Sequence, residues 1–254
     1  MATSQSGQWE EPPYLSFKEL RGEDAVVRFS PAARRLFWPL DGVFPTAISV
    51  MKTPRSADNL EPFFQPDTGG SGSGTWHEIS QLPLTEPKVS SVEASVFDFG
   101  DWEYNWLVYH EGHDGAEFGP EYVTYGDLSD EEEDSDKEFL VRCCGDDRPL
   151  RKRGIKLVVT PSAGSNSFVT VQDYVSAVHP WLMSLREDIL KAKMLSIYEP
   201  YSVVASTEWM VDEGPEHMIM EKKRWIQEHG GGPPQVLSAS ALAIIDRIRA
   251  SRNR

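Results

Sequence analysis

From Val89 to Phe99 apolar and polar residues alternate, with Val92, Ala94 and Val96 on one side and Glu93 and Ser95 on the other. A period of two marks a half-buried strand. Directly after it Trp102, Trp106 and Tyr109 recur at i, i+4 and i+7, one face of a short helix that Asp98 or Asp101 can cap. Residues 139–144 and the β-branched run 155–160, ended by Pro161, read as two further strands. The longest helical pattern begins at Thr170-Val171-Gln172-Asp173, which has the form of a capping box. Behind it Val171, Val175, Val178, Leu182, Leu185 and Ile189 advance in alternating steps of four and three. A proline inside a helix costs ~3 kcal/mol, yet the register runs through Pro180, so the spacing predicts one kinked helix over 171–192. Gly214-Pro215 predicts a second helix over 215–228, with Glu216 at its start and Lys222-Lys223-Arg224 near its end.

Elsewhere the pattern is less regular. Ser30-Pro31 opens a short helix that Pro39 closes, and Thr46–Met51 holds one strand. Thr68–Gly74 is composed as a flexible linker, and residues 237–248 form an amphipathic stretch before a basic end. The fold class expected is α+β: a small mixed or antiparallel sheet packed against a long proline-kinked helix and a second helix, with disordered termini and a disordered acidic loop. The expected division is a poorly ordered region over 1–75 that includes the linker, a domain over 76–229 with its acidic loop at 126–138, and a Gly/Pro linker with a basic tail over 230–254.

Charge changes this picture at one place. Eight of the twelve residues from Asp127 to Glu138 are carboxylates. Residues 89–147 hold 18 acids and 2 bases, a net −16 that exceeds the −15 of the whole chain. A block this dense repels itself and stays solvated. Its sign argues against nucleic acid on the acidic face and against anionic membranes, and makes a basic protein or peptide the natural partner. No apolar run approaches the ~18 residues of a membrane span, and the N-terminus lacks the basic and apolar regions of a secretory signal. The expected location is cytoplasmic or nuclear. Cys143 and Cys144 are the only cysteines. Neighbours in a strand point to opposite faces, so they read as reduced thiols.

The stretch LVRCCGDDRPLRKRGIKLVVTPSAG followed by FVTVQDYVSAVHPWLMSLREDIL, within about residues 140–190, resembles a group of uncharacterised fungal proteins in which a strand, a small-residue turn and a T-V-x-D-Y helix follow an acidic insert. The resemblance implies an intracellular α+β domain and supplies no site residues.

Two chemistries remain as candidates. The leading one is a non-enzymatic interaction module in which an acidic loop (Asp130, Glu131, Glu132, Glu133, Asp134) and an aromatic face (Trp102, Trp106, Tyr109) contact a basic partner. Ser129 and Ser135, each with an acid three residues on, are candidate phosphorylation sites that would add charge of the same sign. The alternative is a metal-assisted hydrolase using His110 and His113. On a helix such residues share a face and can ligate zinc, with Asp114, Glu117 or His77 as third ligand. His179 beside Pro180 reads as bonded to a carbonyl that the proline frees, or else as a general base oriented by Asp173 or Asp188. The basic run Arg148, Arg151, Lys152, Arg153 and Lys156 reads as loosely paired with the acidic block. Gly-rich segments lack the Gly-Lys-Ser/Thr ending of a phosphate loop, and no cofactor is expected.

Overall fold

The computed structural model describes residues 14–67, 73–111, 113, 123–126, 139–150, 152–162 and 167–229. In chain order the first half holds α1 (Phe17–Gly22), β1 (Arg28–Phe29), β2 (Leu36–Phe37), β3 (Ser49–Met51), β4 (Leu60–Pro62), β5 (Phe64–Pro66), β6 (Gly74–Trp76), β7 (Thr85–Glu86), β8 (Val92–Val96) and α2 (Trp102–His110). Next come β9 (Val123–Gly126), β10 (Phe139–Cys143), β11 (Asp146–Asp147), β12 (Lys156–Val159), α3 (Val171–Ser184), α4 (Arg186–Ile197) and α5 (Tyr201–Ser206). The chain then forms β13 (Trp209–Val211), β14 (Glu216–His217), β15 (Ile219–Glu221) and α6 (Lys222–His229). The class is α+β, with small sheets rather than one large one.

The sheet that organises the core has the order β12-β8-β14, with β12 antiparallel and β14 parallel to β8. Along β8 the side chains alternate between buried and half-buried, as the period of two in the sequence requires. α3 packs against β12 and α4 against α2. Thr170 and Asp173 close a capping box: the Thr170 hydroxyl accepts from the Asp173 N–H at 3.0 Å and the Asp173 carboxylate accepts from the Thr170 N–H at 2.9 Å. Burial acts against ionisation of this carboxyl, but hydroxyl donors from Ser162 and Thr170 hold its pKa below the ordinary value.

Several expectations are corrected. The helical register over 171–192 is carried by two helices. Pro180 lies within α3, and the break falls at Leu185, which closes α3 and opens α4. There the Ser184 hydroxyl donates to the Trp181 carbonyl at 2.6 Å, while Arg186 pairs with Asp41. Gly214-Pro215 opens strand β14 rather than a helix, and helix α6 starts only at Lys222. Gly214 sits at φ +135, and His217 and Ile219, both fully buried, point inward at a spacing of two. Nor are residues 14–67 loose: Phe17, Trp38, Leu40, Ile48, Val50 and Phe63 belong to the same core cluster as α3 and α4.

His179 does not serve its own helix. Its Nδ1 accepts from Trp38 Nε1–H at 2.9 Å and its Nε2 faces the Gly42 carbonyl at 3.1 Å, which ties α3 to the N-terminal segment. Asp173 is committed to the helix cap and Asp188 to Lys152, so neither orients an imidazole. Among the described residues the basic run finds acids on other elements: Arg148 pairs with Glu103, Lys152 with Asp188 and Lys156 with Glu93, while the acidic block lies outside the described residues. No helix among the described residues is long and apolar enough to cross a membrane.

Candidate metal centre

Helix α2 ends at His110, whose ring lies 4.4 Å, centroid to centroid, from that of Trp106 one turn earlier. The chain then turns back on itself, with the His113 N–H donating to the His110 carbonyl at 3.0 Å. The two imidazoles face each other, Nδ1 to Nδ1, at 3.1 Å.

The second half of the site comes from a hairpin. β10 and β11 pair through Cys143↔Asp146 and Arg142↔Asp147, which leaves Cys144-Gly145 as a two-residue connection. Cys144 has φ +52 and Gly145 has φ +85; positive φ at both central residues is what a type I′ hairpin turn needs. Cys144 therefore leaves the strand geometry in which neighbours oppose each other. Both cysteines are free thiols, and the turn brings their sulfurs to 3.8 Å from each other. A non-glycine residue in this left-handed region is strained by about 1–2 kcal/mol, and such strain persists where the surroundings hold it.

His113 Nδ1 lies 3.0 Å from Cys144 Sγ and 3.6 Å from Cys143 Sγ. One donor atom from each of His110, His113, Cys143 and Cys144 falls within 4.8 Å of every other. Around tetrahedral zinc, with Zn–S about 2.3 Å and Zn–N about 2.0–2.1 Å, donor atoms are separated by about 3.8 Å for S to S, about 3.6 Å for S to N and about 3.3 Å for N to N. The S–S distance of 3.8 Å, the Cys143–His113 distance of 3.6 Å and the N–N distance of 3.1 Å lie near these values, whereas Cys144 Sγ, 3.0 Å from His113 Nδ1, stands closer than zinc ligation needs.

Electrostatics fit the same chemistry. Burial first, and His113 second, hold the His110 pKa below the ordinary value, with Asp146 acting in the opposite sense. Both effects favour the neutral ring, the form that ligates a metal. Burial, followed by the Cys144 thiol beside it, pushes Cys143 up to about 11, so a metal must displace its proton. Cys143 is buried and Cys144 exposed.

The sequence placed His110 and His113 together but not their partners. His77 is engaged elsewhere, by Glu61 at 3.1 Å and by the Ile79 N–H, and Asp114 and Glu117 lie outside the described residues. Cys143 and Cys144 complete the set instead. The signal for them was the Gly-Asp after the cysteine pair, which marks a turn rather than a continuing strand.

Beside the centre lies a cleft of about 290 Å³ between α2, the β10–β11 hairpin and α4. Trp102, Trp106 and Tyr109 all border it, but they do not form one exposed face. Trp102 and Trp106 are buried, at 5% and 3% exposure, whereas Tyr109 is 49% exposed. Asp130, Glu131, Glu132, Glu133, Asp134, Ser129 and Ser135 lie outside the described residues. Comparison with protein-family models, with curated proteins and with solved structures finds no match.

Proposed function

We propose that this protein is a zinc-stabilised, non-enzymatic interaction module. Zinc at His110, His113, Cys143 and Cys144 joins the end of α2 to the β10–β11 hairpin. What carries the reading is that one donor atom from each of two histidines and two cysteines falls within 4.8 Å of every other, across two segments 30 residues apart. Four side-chain donors close the coordination shell, as in structural zinc sites, whereas hydrolytic sites keep one position for water. This favours a structural metal over the hydrolase reading of His110 and His113.

The location of the site gives the metal a purpose. Residues 127–138, the acidic block, connect β9 to β10, which pair antiparallel from Cys143↔Val123 to Phe139↔Gly126. A metal at the Cys143 end of that pair holds the strand pair whose connecting segment carries eight carboxylates, the charge that suits a basic protein or peptide. The test is metal analysis of protein purified without added metal. One zinc per chain, lost in the double variant Cys143→Ser/Cys144→Ser, is expected. Zinc far below one per chain, or zinc retained by that variant, would sink the reading.

A further inference from the structure

The cleft beside the metal centre has a charge pattern that its own residues leave incomplete. Its floor is apolar, formed by Trp102, Trp106 and Leu195. Most charges on its walls are already matched: Arg148 by Glu103 at 2.7 Å, Lys152 by Asp188 at 2.6 Å, and Asp147 by Arg142 at 3.6 Å. Two are not. Asp146, on the hairpin wall, and Lys191, on the α4 wall, both line the cleft and have no ion-pair partner among the described residues. One wall thus offers an anion and the other a cation, over an aromatic floor.

We infer that this cleft binds a small zwitterion of the amino-acid class, with its ammonium toward Asp146, its carboxylate toward Lys191 and an aromatic or bulky aliphatic side chain on the tryptophan floor. Three features select that class. A purely anionic ligand leaves Asp146 facing like charge, and a purely cationic one does the same at Lys191; each mismatch is unfavourable. The apolar floor rewards a hydrophobic body, since aromatic rings gain from edge and offset contacts beyond simple burial. The volume of about 290 Å³ suits a molecule of this size and is too small for a folded partner. The inference rests in one respect on the metal reading, because the hairpin that carries Asp146 is the one the zinc would hold.

The test is calorimetric titration of the full, zinc-loaded chain with three probes of nearly the same shape: L-phenylalanine, hydrocinnamate, which lacks the ammonium, and phenethylamine, which lacks the carboxylate. Phenylalanine is expected to bind at least about tenfold more tightly than either analogue. Lys191→Met should bring phenylalanine down to the level of phenethylamine and leave phenethylamine unchanged, while Asp146→Asn should do the converse with hydrocinnamate. Both substitutions are at exposed positions, so the fold is retained. Equal affinity for all three probes, no binding of phenylalanine, or indifference to both substitutions would overturn the proposal. Zinc content is read on the same sample. Missing zinc overturns the metal reading alone if phenylalanine is still preferred, and one zinc per chain without that preference overturns this inference alone.

Discussion

Cys143 and Cys144 bring their sulfurs to within 3.8 Å of each other because Cys144 stands at φ +52, in the first central position of a hairpin turn. Asparagine is better suited to that position, and Asn-Gly is the preferred pair for such a turn. The chain therefore accepts local strain in exchange for a second sulfur beside the first.

That exchange gives a reversal of sign. Cys144→Asn should stabilise the metal-free protein by about 1 kcal/mol by relieving the strain, because the exposed thiol buries little. In the presence of zinc the same substitution should be destabilising, since binding at a thousand times Kd contributes about 4 kcal/mol that the variant loses. Thermal unfolding of both proteins with zinc and with chelator checks this. The same sign under both conditions would argue against a metal at Cys144.

Lys193 and Asp98 form a second pair, buried at 10% and 6% side-chain exposure, with Nζ and Oδ1 at 2.7 Å. Burial raises the Asp98 pKa, and the Lys193 ammonium offsets that only in part. Lys193→Ala should cost about 3–5 kcal/mol by leaving a buried carboxylate alone, whereas Lys193→Met with Asp98→Leu should cost much less than either single change. Urea denaturation of the four proteins reads the coupling, and strictly additive costs would contradict it.

His217 sets a pH dependence. It is fully buried, with Nε2 accepting from the Tyr174 hydroxyl at 2.9 Å and Nδ1–H donating to the Asp212 carbonyl at 3.0 Å. Burial brings its pKa down to about 4. The unfolded chain, near 6.5, binds the proton more readily, so this contribution is complete above pH 6.5 and is lost as pH falls toward 4. The loss is on the order of 3 kcal/mol. Imidazole NMR signals of His217 should stay in the neutral form from pH 7 to pH 5; titration near 6.5 would contradict the buried, neutral ring.

For the acidic block, Glu131→Gln/Glu132→Gln/Glu133→Gln should weaken binding of an oligolysine peptide, and binding by the parent chain should fall steeply as salt rises. Binding that ignores both changes would separate the block from any basic partner.

What the sequence made legible was local. The alternation in β8, the capping box at Thr170 and the apolar face of α3 each depend on neighbours within a few residues, and each appears where the pattern put it. The break at Leu185 was hidden because the apolar register continues across it, and β14 was hidden because Gly-Pro serves a strand entry as readily as a helix start. Half of the candidate site was visible as His110 and His113. The other half depended on one residue, Cys144, leaving strand geometry, and on a hairpin reaching α2 from 30 residues away. Periodicity carries no information about that kind of contact.

X-ray absorption at the zinc edge of the purified protein tests the metal centre most directly. Two sulfur and two nitrogen neighbours, at about 2.3 Å and about 2.0–2.1 Å, are the expected shell. A shell of nitrogen and oxygen alone, or no bound zinc to measure, would contradict it.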